Sequence, residues 1–122
     1  MGLDVAMSYE IVQSNDEKGQ WRVSVCGYMY SVQTDDGTEV LAYHWHPLGN
    51  SPETRPHLHI GAIPSPSGLI LTKKMHVPTG RIALESVLRL CIHEFGVRPL
   101  RDDWAQILAD GEDLFTMWRT WQ

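Results

Sequence analysis

The spacing of apolar residues changes once along this chain, and that change restricts the class of fold it can adopt. Through the first two thirds, apolar and polar residues alternate, the period of a strand with one buried face. Val5, Met7, Tyr9 and Ile11 share a parity and predict a first strand ending at the turn-rich SNDEKG. A longer strand starts at Trp21; its apolar parity is odd through Val25 and even through Tyr28, Tyr30 and Val32, which predicts a β-bulge at Gly27. The DDG of Asp35–Gly37 is a hairpin turn, and Leu41, Tyr43 and Trp45 form the apolar side of the strand that follows. After the proline-punctuated PLGNSPETRP, alternation resumes with Leu58 and Ile60, then again with Leu69, Leu71, Met75 and Val77.

From about residue 82 the period becomes 3.6. Leu84, Val87, Leu88, Cys91, Ile92 and Phe95 make one helical stripe closed by Gly96, with the N-cap expected at Thr79 or just after it. Past Pro99, a second helix opens at Asp102 and Asp103, where acidic groups suit the helix dipole, and Gly111 is a candidate break into two short helices. Strands over roughly 5–78 followed by helices over roughly 82–122, rather than alternating units, predict a single α+β domain spanning 1–122. The expected architecture is a curved antiparallel sheet of about five strands with two or three C-terminal helices packed on one face.

The same parity sorts the histidines. His44 and His46, His57 and His59, and then Lys74 with His76 all point away from the apolar sets, so pairing of the three segments gathers them on one sheet face. Composition sharpens that face. The chain of 122 residues has a net charge of -5, against a surface that grips nucleic acid as a whole, yet residues 43–81 carry Arg55, Lys73, Lys74 and Arg81 against Glu53 alone. That basic island also holds five of the six histidines, and its field favours an anion.

Three kinds of function fit. One is metal-independent cleavage of RNA, with His57, His59 and His44 as catalytic imidazoles and Arg55, Lys74, His76 and Arg81 holding phosphate; it requires no cofactor. The second is a non-catalytic interaction protein, a homodimer or a binder of a small antitoxin-like partner, using the histidine face and the closely spaced Trp118 and Trp121. The third is a divalent-metal site, zinc for example, built from His44, His46, His57 and His59: a His-x-His pair on a strand sets two imidazoles about 7 Å apart on one face. No carboxylate follows at the usual offset, since His59 is succeeded by IGAIPSPSG. His93, beside Glu94, reads as a solvated helix residue. There is no glycine-rich phosphate loop, no apolar run of bilayer length, no secretory signal in MGLDVAMSYE, and no close spacing of Cys26 and Cys91. These features predict a cytoplasmic protein without a nucleotide cofactor.

The segment RPHLHIG, with Pro56, His57, His59 and Gly61, resembles the Pro-His-x-His segment of the TumE-like proteins of bacterial toxin-antitoxin modules. The likeness extends to YHW at Tyr43–Trp45 and to LESVL at Leu84–Leu88, which is similar to the start of their C-terminal helix. The resemblance implies a small cytoplasmic bacterial protein that targets RNA, with His57, His59 and His44 as the site residues carried over.

Overall fold

A computed structural model describes residues 1–16, 19–49, 52–61 and 75–118. Its order is β1 (Gly2–Asp16), β2 (Gly19–Gln33), β3 (Glu39–Trp45), β4 (His57–Ile60), β5 (Val77–Pro78), α1 (Leu84–His93) and α2 (Trp104–Trp118). The fold is α+β: a five-stranded antiparallel sheet in the order β1-β2-β3-β4-β5, then two helices. The chain forms two compact units, Met1–Glu10 with Val25–Arg81, and Ile11–Ser24 with Ile82–Gln122.

In the first unit, register decides which side chains share a face. Tyr28 lies opposite Trp45, Tyr30 opposite Tyr43 and Val32 opposite Leu41, while Leu58 and Ile60 face Tyr43 and Leu41 from β4. Because cross-strand partners project to the same side, these residues make one apolar face. Tyr28, Tyr30, Val32 and Trp45 are buried there, with the rings of Tyr28 and Tyr30 stacked at 4.6 Å. The turn between β2 and β3 is closed by Asp36, whose carboxylate accepts from the Thr38 amide at 3.0 Å, and Gly37 supplies a φ of +86°. Gly27 is required by close approach, since a Cβ there would lie 2.9 Å from the Trp45 carbonyl oxygen. The β2–β3 register, which runs from Tyr28 to Gln33, shifts at Val32/Gln33.

Gly61 ends β4 under a similar constraint. Its amide donates to Val40 O at 2.8 Å, and an added Cβ would meet Glu39 O at 2.9 Å and Val40 O at 3.2 Å. Gly61→Ala is therefore expected to destabilise the protein by about 1–3 kcal/mol, read as a lower urea midpoint, because backbone rather than a flexible side chain must yield. β1 is an edge strand, and its Val5, Met7, Tyr9 and Ile11 are all exposed.

In the second unit, α1 starts at Ala83, which makes no side-chain cap, so the N-cap expected near Thr79 is absent. Its C-terminus follows the sequence: Gly96 has a φ of +71°, and the Val97 amide returns to Cys91 O at 3.1 Å. α2 runs unbroken through Gly111. A Cβ there would stand 2.7 Å from Oε1 of Glu85 of α1, the flexible end of a side chain. Arg89 of α1 pairs with Glu112 of α2 nearby.

Candidate metal centre on the histidine face

The register that builds the apolar face builds its opposite. His44 pairs with His57 and with Met29, and Ala42 pairs with His59, so these side chains lie on the other side of the sheet. The β4–β5 register, His57 to Pro78 and Leu58 to Val77, continues to set His76 beside His59. Five imidazoles meet here. His57 is the hub, with ring centroids 5.5 Å from His44, 5.2 Å from His46, 4.9 Å from His59 and 4.8 Å from His76. His44 and His59 are 4.6 Å apart, and His59 and His76 4.9 Å. Exposure is graded across the cluster: His57 is 1% exposed, His44, His46 and His59 are half-buried, and His76 is exposed.

Hydrogen bonding fixes the chemistry of the hub. His57 Nδ1 lies 2.7 Å from the Arg55 carbonyl oxygen, which can only accept, so Nδ1 carries the proton and Nε2 of the neutral ring carries the lone pair. That Nε2 faces His59 Nε2 at 3.1 Å. Burial depresses the His57 pKa, and neighbouring imidazoles add to this against the Arg55 carbonyl. His44 is pushed down to about 4, first by burial and then by His59, His57 and His46, with Glu39 opposing. Both rings are therefore neutral at pH 7. The nitrogens of His44, His57 and His59 lie within 4.8 Å of one another. The 3.1 Å contact approaches the roughly 3.3 Å edge of a tetrahedron with metal–nitrogen bonds of about 2.0–2.1 Å.

The expected phosphate-holding cations are disposed differently. Arg55 contributes its carbonyl to His57, but its guanidinium forms a two-point pair with Glu53, Nε to Oε1 at 3.0 Å and Nη2 to Oε2 at 3.1 Å, which holds the Glu53 carboxyl down at about 2. Arg81 lies 3.8 Å over the ring of Trp45, a residue of the opposite face, so it does not join the histidines. Lys74 and Trp121 lie outside the described residues, and Trp118 is the last residue of α2. His93 is exposed and meets Trp104 edge-on at 5.6 Å.

One acid of the site was not foreseen. Glu39 accepts a hydrogen bond from Ser31 Oγ at 2.7 Å and exerts its charge on His44. The register shift accounts for its place: Val32 pairs with Leu41 and Gln33 with Glu39, so Val40 is passed over and Glu39 turns to the face of Ser31. Gln33 Nε2 extends this polar row, donating to Ser31 Oγ at 3.3 Å and to Asp4 Oδ2 at 2.7 Å.

No family model, curated protein or solved structure matches this chain. Among the described residues, no helix is long and apolar enough to cross a membrane.

Proposed function

We propose that the protein binds a divalent first-row transition-metal ion through His44, His57 and His59. The observation that carries this reading is the buried His57, whose Nδ1 is committed to the Arg55 carbonyl while its Nε2 faces His59 Nε2 at 3.1 Å. This is the outer-shell arrangement by which proteins orient a metal-ligating imidazole and fix its tautomer. Three neutral imidazoles suit zinc, copper, iron or nickel, and a three-histidine set leaves coordination positions for water or substrate. His46 and His76 flank the triplet and are reserve donors. A cytoplasmic setting fits Cys26 and Cys91, which are both thiols.

The test is metal content. Protein prepared without a histidine tag, stripped with chelator and titrated at pH 7.5 is expected to take up one equivalent of Co2+ or Zn2+; less than stoichiometric uptake would overturn the reading.

The same 3.1 Å imidazole pair favours a second reading, acid–base cleavage of RNA in a toxin-antitoxin setting, with His59 and His57 exchanging a proton. Its cations are the weaker part, since Arg55 is held by Glu53 and Arg81 stacks on Trp45. RNA cleavage that persists in excess chelator and vanishes in His59→Ala would select this reading over the metal centre.

A further inference from the structure

A cleft of about 500 Å³ lies beside His44, one member of the histidine triplet, within the first unit. His44 belongs to both: it is one of the three grouped nitrogens and it lines the cavity together with its neighbour His46. The other walls are largely apolar, formed by Tyr28, Met29, Trp45 and Leu48 with the small residues Ala6 and Gly27. Its polar side chains besides the two imidazoles include Ser8 and Cys26, and burial followed by the nearby Glu10 raises the Cys26 pKa, keeping it a neutral thiol. Among the described residues, no lysine, arginine or carboxylate lines it. Gly27 lines it without a side chain, and a Cβ there would lie 2.9 Å from the Trp45 carbonyl oxygen.

An apolar cleft with a few convergent polar groups at one end is how proteins hold small organic ligands, and this open cleft has room for roughly one or two rings. The described walls favour apolar over ionic contact. They offer an ion no opposite full charge, whereas a neutral molecule gives up only apolar hydration against them. His44 alone links this end of the cleft to the proposed ion, since His57 and His59 are not among the described residues that line it, and three histidines leave coordination positions over.

We propose that this cavity receives the apolar body of a small uncharged organic ligand, whose nitrogen or oxygen donor occupies an open position on the ion held by His44, His57 and His59. The proposal rests on the metal reading and adds to it a ligand class: neutral, largely aromatic or aliphatic, with one lone-pair donor at its end.

The test compares imidazole with 4-phenylimidazole on Co2+-loaded protein, following the visible spectrum of the ion. Both probes offer the same donor, and only the second carries a body for the cavity. 4-Phenylimidazole is expected to bind at least about tenfold more tightly. Ala6→Trp places bulk in the cavity from an exposed position on β1 and is expected to reduce that preference to less than about threefold; Ser8→Phe serves the same purpose if the first variant does not fold. Equal affinities for the two probes on Co2+-loaded wild type, or a preference that survives both filled variants, would overturn the proposal and leave the metal centre standing. Failure of wild type to take up Co2+ removes the metal centre and the proposal together.

Discussion

His57→Ala is expected to lower the affinity for Zn2+ by about 100-fold or more, the largest loss of any single histidine substitution in the chain. Loss of an outer-shell partner alone typically costs 10–100-fold. Here the ligand, its preset tautomer and the centre of the cluster disappear together, since His57 contacts His44, His46, His59 and His76. His57 is also buried, so the alanine leaves a cavity and the variant will be less stable whatever its role. His59→Ala separates the two effects. That ring is half-buried, its loss should leave folding largely intact, and the metal reading still requires a large drop in affinity. His93→Ala, on the exposed side of α1, should bind as wild type does. Calorimetric titration of the three variants beside their urea midpoints decides the matter: unchanged affinity in a folded His59→Ala would exclude the triplet.

The parts of this site that could be read from sequence are those governed by strict alternation. His44, His57 and His59 share a face with His76 because the β3, β4 and β5 pairings run in a register that period-2 spacing already implies. The same logic correctly assigns Tyr43, Trp45, Leu58 and Ile60 to the other face. It fails where the register slips. Glu39 has the parity of Leu41 and reads as an apolar-side residue, yet passing over Val40 turns it to Ser31 and the histidines. Charge misled in another way: Arg55 and Arg81 are close in sequence to the histidines, but Glu53 claims one and the Trp45 ring the other. Such pairings depend on loops, which carry no periodicity. The helical errors have a similar origin. Gly111 looks like a breaker by propensity, but α2 continues through it, and α1 begins without the side-chain cap that sequence rules look for.

The pH dependence of metal binding should separate this cluster from an ordinary set of surface histidines. Protons and metal compete for the same lone pairs, so three ligands at the usual value of about 6.5 would lose roughly fiftyfold in affinity between pH 7.5 and 6.0. In this site His44, held at about 4, is already deprotonated over that interval, and His57, also depressed, gains fewer protons than an ordinary imidazole; both shifts are chiefly due to burial. The expected loss is less than about tenfold. The same shifts have the opposite consequence for the metal-free protein. As pH falls below about 6.5 the unfolded chain takes up protons that native His44 refuses until about 4, so acid favours unfolding across that window. With allowance for the partial exposure of His44, the loss is about 1–2 kcal/mol. Glu53 and Asp36, both held near 2, add their own loss only as carboxylates begin to protonate, lower on the scale, so the interval from pH 6.5 to 4.5 reports mainly on histidine. Urea unfolding of the stripped protein at pH 7.5, 5.5 and 4.5 should show the decline, and His44→Asn should flatten it. A stripped protein equally stable at pH 7.5 and 4.5, or an affinity that falls fiftyfold by pH 6.0, would mean that the imidazoles are solvated and independent rather than a buried, neutral ligand set.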